Sequence, residues 1–495
     1  MEESVTIELR ENSRGFDHLP TELLCRVFYY LELRSAAVLN EVTGKNVRDF
    51  DGLRNVFMHI SCAHTVKLWF YTEVFAKNCI DLIADVLDVR CVDVYPYKNV
   101  HILPYLHYRL PHLAALNMRP HSNEFHSCGL QLPSFPDFSK LTTLILDNYS
   151  IDGDFQLPKT IRSLDYSKRE QSHYQALLPK LAHLANLEYF TLSHADMSNP
   201  VDFLAFVRAV NSKRLPKLSI LTLRMCKICP LNLQDGEIEM NLKLLKFDLC
   251  YGNILSSIRD FLGFNNTKVL SLNVLSNRSS LDSVCNICCE LERRRIALYL
   301  SILQNYPKSL AEQSPFENLT PPSSWFNVVT KFEASFINDV VLFETLILSG
   351  QLHVLRECKF VECDSVTSDL LTHLSMFAPM LRRLDALSCS MPEDMDVLLF
   401  VPSISTRIAS QLQITWRQND RHAKSLAECY LALKHERQDI LKGKNARFTA
   451  KTFSSGEEGK EIVISELDSA KSLTIRDYND HHRYRTLGFI VGRDH

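Results

Sequence analysis

The chain of 495 residues carries 55 basic and 58 acidic side chains, and 46% of its residues are hydrophobic. This composition supports a large core and excludes an intrinsically disordered chain. The net charge of −3 provides no basic surface, so we expect no nucleic-acid partner. The sequence shows neither a signal peptide nor an apolar run of roughly 18 residues, so we expect no membrane partner. The fifteen cysteines then indicate reduced thiols in a cytoplasmic or nuclear protein that is not secreted.

The N-terminal region contains two segments of different character. Residues 1–15 are polar and acidic, and we expect them to form a disordered tail. Residues 16–31, FDHLPTELLCRVFYYL, predict a short helix with Pro20 in its first turn. Leu23, Val27 and Leu31 recur at steps of four, which gives the helix a wide apolar face. Such a face needs a cover, either from its own domain or from another chain.

This segment resembles the opening of an F-box, whose pattern is LP-x-E-hydrophobic, then IF, then YL. The matching residues are Leu19, Pro20, Glu22, Leu23, Val27, Phe28 and Leu31. The resemblance implies a small helical module over residues 16–62, although the tryptophan that the family usually carries further along is absent. An F-box docks onto the Skp-family adaptor of an SCF ubiquitin ligase, so the resemblance implies that these seven residues bind that adaptor and, through it, a cullin-based ligase. The alternative is a helix that caps the first repeat of the following array.

Residues 63–495 repeat a short pattern, L-x-x-L-x-L, whose alternating end predicts a strand with one buried face. The clear copies are Leu113-Leu116-Met118, Leu141-Leu144-Leu146, Leu187-Phe190-Leu192, Leu218-Leu221-Leu223, Leu244-Phe247-Leu249, Leu355-Cys358-Phe360 and Leu381-Leu384-Ala386. Weaker copies are Val89-Val92-Val94, Ile161-Leu164-Tyr166, Val269-Leu272-Val274, Val329-Phe332-Ala334 and Ala470-Leu473-Ile475. Most steps between copies fall near the roughly 20–29 residues of a leucine-rich repeat. The sequence therefore predicts an α/β fold, a leucine-rich-repeat solenoid of horseshoe shape.

Helices are expected between the strands. Asn199 and Pro200 predict a helix start, with Phe203, Phe206, Val207 and Val210 on one face. Thr367 or Ser368 caps a second helix, with Leu370, Leu371, Leu374 and Phe377 inward. Two irregular insertions are expected, at about 278–325 and 417–462. The first contains a helical stripe over 281–304, and the second a helix near Tyr430 followed by polar loops.

Cys226, Cys363 and Cys389 each follow a predicted strand by three residues, which is the N/C position of the repeat consensus. We expect these side chains to turn inward and satisfy backbone groups. The pairs Cys226/Cys229 and Cys285/Cys288 are alternative zinc ligands, but 55 residues separate them, and structural zinc sites have tighter spacing. His481 and His482 lack a nearby partner ligand. We therefore expect no metal and no other cofactor.

The sequence lacks phosphate-binding glycine loops, nucleophile elbows and zinc-protease motifs, so we assign no catalytic residue and expect a protein that is not an enzyme. An unknown target protein would lie on the concave strand face. The outward positions there are Thr143, Ile145, Asp147, Tyr189, Thr191, Arg224, Lys246, Asp248, Lys359, Arg383 and Asp385. The resemblance implies a substrate-recognition subunit of an SCF-type ubiquitin ligase. The alternative is a leucine-rich-repeat scaffold or adaptor without a link to the ligase.

Overall fold

The structure, a computed structural model, describes residues 5–10, 39–43, 63–70, 73–86, 89–96, 102–119, 130–131, 138–151, 156–167, 173–230, 239–252, 258, 261, 266–304, 316, 319–363, 365–389, 411–417, 448–454, 460–466 and 472–477. The chain divides into two compact units, Met1–Thr267 (unit 1) and Lys268–His495 (unit 2). Both units are α/β and contain a parallel sheet that does not close into a barrel. The α/β class predicted from the sequence is therefore correct.

Unit 1 contains fifteen strands within its described residues. They are β1 (Val5–Arg10), β2 (Leu39–Thr43), β3 (Ala63–Phe70), β4 (Cys91–Pro96), β5 (Ala115–Met118), β6 (Leu130–Gln131), β7 (Thr143–Asp147), β8 (Tyr149–Ser150), β9 (Ser163–Ser167), β10 (Tyr189–Ser193), β11 (Asp196–Met197), β12 (Ile220–Arg224), β13 (Lys227–Ile228), β14 (Leu244–Asp248) and β15 (Tyr251–Gly252). The main sheet has the order β2-β1-β3-β4-β5-β7-β9-β10-β12-β14, with all neighbours parallel. A second parallel ladder, β11-β13-β15, follows the ends of three main strands.

The helices of unit 1 connect successive strands of the main sheet. They are α1 (Glu73–Val86), α2 (Leu103–Arg109), a 3-10 turn (His173–Ala176), α3 (Leu178–Leu181) and α4 (Pro200–Ala209). The predicted start of α4 is confirmed, because the Asn199 side chain accepts a hydrogen bond of 3.0 Å from the backbone N–H of Val201. Phe203, Phe206 and Val207 are buried on one face, as predicted.

The core of unit 1 is built from two columns of side chains that cross the sheet. Alternate residues of each strand share one face, and the parallel register aligns them from strand to strand. One column contains Leu116, Leu144, Leu164, Phe190, Leu221 and Leu245, and the next contains Met118, Leu146, Tyr166, Leu192, Leu223 and Phe247. All twelve are at most 3% exposed. Burying each such side chain contributes about 1.5–3 kcal/mol, so the columns stabilise the sheet.

Unit 2 repeats this arrangement. Its strands are β16 (Val269–Leu275), β17 (Ala297–Leu303), β18 (Val329–Ser335), β19 (Glu357–Val361), β20 (Arg383–Leu387), β21 (Gln411–Arg417), β22 (Phe448–Ser454), β23 (Lys460–Glu466) and β24 (Ser472–Asp477). Its helices are α5 (Arg278–Arg294), α6 (Ser323–Val328), α7 (Val340–Phe343), which continues as a π-helix over Glu344–Leu348, and α8 (Ser368–Phe377). The parallel order is β16-β17-β18-β19-β20-β21-β24, and β23 and β22 add antiparallel strands beyond β24. Thr367 caps α8 with its hydroxyl oxygen.

The same backbone turn follows strand after strand. Residues two positions beyond the second core column adopt a left-handed conformation, with φ between 50° and 60°. They are Asn148, His194, Met225, Leu249, Phe336, Glu362 and Ser388. In both units the N–H at this position donates to the last residue of the next sheet strand, as from His194 to Arg224 and from Phe336 to Val361. These bonds hold each turn against its neighbour, which offsets the cost of a positive φ in residues other than glycine.

Two strands lie in the N-terminal region where the sequence predicted other structure. Val5–Arg10 was expected in a disordered tail, but it forms β1, which pairs with β3. Its apolar residues alternate with polar ones, a pattern of a strand that the sequence analysis missed. Leu39–Thr43 forms β2 beside β1, within the range 16–62 expected to be helical. The rest of that module, including all seven predicted adaptor-binding residues, lies outside the described residues.

The first half of the predicted insertion at 278–325 contains a strand where the sequence predicted a helix. The helix ends at Arg294, since Arg295 adopts a left-handed conformation with φ of 57°, and Ala297–Leu303 forms β17 between β16 and β18. Leu298 and Ile302, predicted on a helix, therefore lie on a strand. Apolar residues that recur at helical spacing from Leu281 onwards concealed this copy of the repeat.

The predicted insertion at 417–462 also contains regular structure. Phe448–Ser454 pairs with Lys460–Glu466 as an antiparallel hairpin, where loops were expected. The threonine and phenylalanine content of the first strand favours extended backbone. The helix predicted near Tyr430 lies outside the described residues.

Candidate functional site

Each main sheet has a second face, opposite the core columns, that carries mostly polar side chains. We call these the polar face of unit 1 and the polar face of unit 2. In unit 1 one row of this face contains Lys67, Asp93, Asn117, Ile145, Asp165, Thr191, Thr222 and Lys246. The next row contains Asp147, Ser167, Ser193, Arg224 and Asp248. Charged and hydroxyl groups of neighbouring strands are thereby brought side by side.

The pKa values of two carboxyl groups on the polar face of unit 1 are raised above their ordinary values. Burial raises the pKa of Asp93, although Asn117 donates a hydrogen bond to its carboxylate. Burial also raises the pKa of Asp165; the positive charge of Arg224 opposes this shift, and the negative charge of Asp147 adds to it. Carboxyl groups whose pKa is shifted by burial and by neighbouring charges cluster at functional sites.

We expect Asp165→Asn to raise the free energy of unfolding of unit 1 at neutral pH. Because the pKa of Asp165 is raised in the folded state, its ionisation opposes folding once the pH exceeds the unfolded-state value, ordinarily about 3.9. The gain should therefore shrink as the pH falls from the raised folded-state pKa towards that value, and it should vanish below it, where both states are protonated. Urea titrations of both proteins at neutral and acidic pH measure the difference. A variant that is less stable than the wild type at neutral pH would contradict this account.

The polar face of unit 2 carries an alternating lattice of six charges on three neighbouring strands. Each strand contributes two residues, and the register aligns Lys331 with Glu357 and Arg383 in one row, and Glu333 with Lys359 and Asp385 in the next. Every cation has anions beside it along the strand and across the sheet. Opposite charges at directly facing positions stabilise a strand pair, so the lattice favours this register.

Ion pairs join the members of this lattice. Lys331 Nζ lies 2.7 Å from a carboxylate oxygen of Glu357, and Lys359 Nζ lies 2.8 Å from one of Glu333. Lys331 also lies over the ring of Tyr299, 4.8 Å from its centroid. These pairs are more than one-third exposed, so each contributes little to stability. Both lysines are therefore already paired with carboxylates of the same face.

Arg383 and Asp385 form the third pair, and it differs from the other two. Arg383 Nε donates to Asp385 Oδ2 at 2.6 Å, while the side chain of Asp385 is 6% exposed and that of Arg383 is 57% exposed. The other carboxylate oxygen of Asp385, Oδ1, has no hydrogen-bond partner among the described residues. A buried polar atom without a partner is uncommon and requires an explanation.

An apolar row borders this lattice at the ends of the strands. The register aligns Leu275 with Leu303, and Val361 with Leu387, beside Ser335 of β18. These side chains are partly exposed, and Leu275 reaches 37%. Phe336, the residue after Ser335, is 43% exposed. The polar face of unit 2 therefore combines a charged area with an apolar edge.

The predicted role of the cysteines is confirmed where their contacts are described. The Cys226 thiol donates to the carbonyl of Leu192 at 3.4 Å, and the Cys363 thiol donates to the carbonyl of Ala334 at 3.4 Å. The sequence analysis missed Cys250, whose thiol donates to Leu223 at 3.2 Å. Burial and the neighbouring Cys226 thiol raise the pKa of Cys250. These thiols serve as structural donors to backbone carbonyls.

The eleven predicted target-binding residues all lie on strands at positions opposite the core columns. Arg224, Tyr189 and Arg383 are exposed, while Asp248 and Asp385 are nearly buried beneath their arginine neighbours. The sequence analysis missed Asp93, Asp165, Lys331, Glu333 and Glu357. Strict alternation along the copies of the repeat would have identified them, since each lies one position before or after a core residue.

Among the residues that the structure describes, no group of three or more histidine, cysteine or carboxylate side chains could hold a metal ion. None of the helices in the described ranges is both long and apolar enough to cross a bilayer.

No protein-family model matches the chain, and no curated protein matches its sequence. The function must therefore be argued from the residues themselves.

Proposed function

We propose that the chain is a leucine-rich-repeat solenoid preceded by an F-box-like module, and that it serves as the substrate-recognition subunit of an SCF-type ubiquitin ligase. The observation that carries the repeat assignment is the recurrence of one unit: two core columns, a left-handed residue and an inward thiol or apolar group. Stacked units of this kind provide extended binding surfaces rather than enclosed active sites. The polar faces, with their charged and apolar side chains, suit a protein partner.

The ligase assignment rests on the sequence of residues 19–31. Leu19, Pro20, Leu23, Val27 and Phe28 would bury their side chains against the Skp-family adaptor, and the strand faces would hold the target. The subunit would act by positioning: a target bound beside a ubiquitin-charged enzyme reacts faster because its effective concentration rises. No catalytic group is needed in this chain.

A scaffold without a ligase link is the second candidate, and β1 and β2 favour it. Both strands extend the main sheet of unit 1 from β3, so part of the N-terminal region belongs to the sheet. In that arrangement the helix at 16–31 would cover the first strands instead of an adaptor.

A pull-down with purified components separates the two candidates. Wild-type protein is incubated with the Skp-family adaptor beside the double variant Pro20→Ala/Phe28→Ala, and a Val74→Ala variant, altered at an exposed position on α1, serves as the control. We expect wild type and control to retain the adaptor and the double variant to lose it, because the variant removes two apolar anchors. Failure of folded wild type to bind would favour the scaffold.

A further inference from the structure

The arginine of the Arg383–Asp385 pair presents an unused guanidinium edge on the polar face of unit 2. Only its Nε is engaged among the described residues, and the side chain remains 57% exposed. Its two terminal nitrogens thus have no hydrogen-bond partner among those residues. Two parallel N–H groups of this kind match the two oxygens of a carboxylate.

Asp385 explains how the guanidinium is held in this position. Its charge is buried, and its Oδ1 has no donor among the described residues, so Arg383 is its one hydrogen-bonded cation there. A buried oxygen without a hydrogen-bond partner lowers the stability of the fold. A protein retains such an oxygen where it holds a functional group in position. The neighbouring lysines cannot replace Arg383, because Lys331 and Lys359 are paired with Glu357 and Glu333.

The apolar row lies close enough to Arg383 for one helix to contact both. Arg383 and Leu387 are four residues apart on β20, or about 13 Å along the strand. A helix with its side chains is about 10–12 Å wide. Neighbouring strands are about 4.8 Å apart, close to the roughly 5–6 Å between side chains at i and i+4 of a helix. A helix lying across the strands would thus place apolar side chains on Leu303, Val361 and Leu387, and pass over Ser335 between the first two.

We propose that the polar face of unit 2 binds an amphipathic helix of the target protein, with its apolar stripe on Leu303, Val361 and Leu387 and a glutamate or aspartate on Arg383. Charge complementarity selects this occupant, since the terminal nitrogens of Arg383, which Asp385 does not engage, lie on the same face as an apolar row. The inference rests on the proposed function, in which the strand face holds the target. It adds the chemistry of the segment that is recognised.

The test uses full-length protein and a fluorescein-labelled, alanine-based peptide of about 18 residues with leucines at helical spacing, flanked by glutamates. A matched peptide carries glutamine in place of each glutamate. Anisotropy titrations should show saturable binding of the glutamate peptide alone. Arg383→Ala should weaken binding about tenfold or more, and Arg383→Lys should weaken it as well, because an ammonium group lacks the planar fork.

Arg293→Ala is the control variant. Arg293 is a 67% exposed arginine on α5, away from the strand face, and its Nε donates to the carboxylate of Glu290 at 2.9 Å. We expect this variant to bind the peptide as the wild type does. The proposal is overturned if the glutamate peptide does not bind, if the glutamine peptide binds equally well, or if Arg293→Ala causes the same loss. Adaptor binding by Arg383→Ala, measured in parallel, should be unchanged, which separates this proposal from the ligase assignment.

Discussion

Phe360→Ala should lower the free energy of unfolding of unit 2 by about 3–5 kcal/mol. The ring is fully buried in the second core column, 5.3 Å from the centroid of Phe343 on α7 and 6.5 Å from that of Phe332 on β18. Alanine would leave a cavity between the sheet and the helix layer and remove both aromatic contacts. A guanidinium titration followed by tryptophan fluorescence measures the change.

Phe336→Ala is the matched control, since the same side chain is removed from a position that is 43% exposed. We expect a loss of about 1 kcal/mol or less, because little buried surface is lost. Equal losses in the two variants would mean that Phe360 does not occupy a packed column.

Gly252→Ala should destabilise unit 1 by about 2–4 kcal/mol. Gly252 has a φ of 95°, and a Cβ added there would lie 2.4 Å from the carbonyl oxygen of Ile228. That oxygen belongs to the backbone of the paired strand β13, so it cannot move without disturbing the ladder β11-β13-β15. The same denaturant titration provides the measurement.

Gly350→Ala provides the comparison for this substitution. A Cβ at Gly350 would also approach within 2.4 Å of a neighbour, but that neighbour is the ring of Phe326, a partly exposed side chain that can rotate. The loss should therefore be clearly smaller than at Gly252. A larger loss at Gly350 would contradict the argument that backbone contacts determine the cost.

The core of the fold could be predicted because its signal has a strict period. Leucine and other apolar residues at alternating strand positions, such as Leu221 and Leu223, identify a strand wherever the template is complete. The same template was not recognised at Ala297–Leu303, because the apolar residues from Leu281 onwards recur at helical spacing. The template also placed one copy of the repeat two residues too far along the chain. It aligned Leu249 with Leu223, but Leu223 pairs with Phe247. A shift of two residues keeps the same face, so the sequence offers no penalty against it.

The candidate site was less predictable, because pairing across strands depends on register. The sequence identifies Lys359, Arg383 and Asp385 as outward residues by alternation. It does not show that Glu333 lies beside Lys359, or that Asp385 is buried beneath Arg383. These relations join residues about one repeat apart, and loop lengths that vary between repeats conceal them.

In the proposed function, the N-terminal residues dock on an adaptor while the strand faces remain free for a target. Hydrogen–deuterium exchange of the full-length protein, with and without the purified Skp-family adaptor, tests both halves together. The account predicts new protection within residues 16–62 and unchanged exchange in β18, β19 and β20. Absence of protection within 16–62, or protection on β18–β20 in its place, would contradict it.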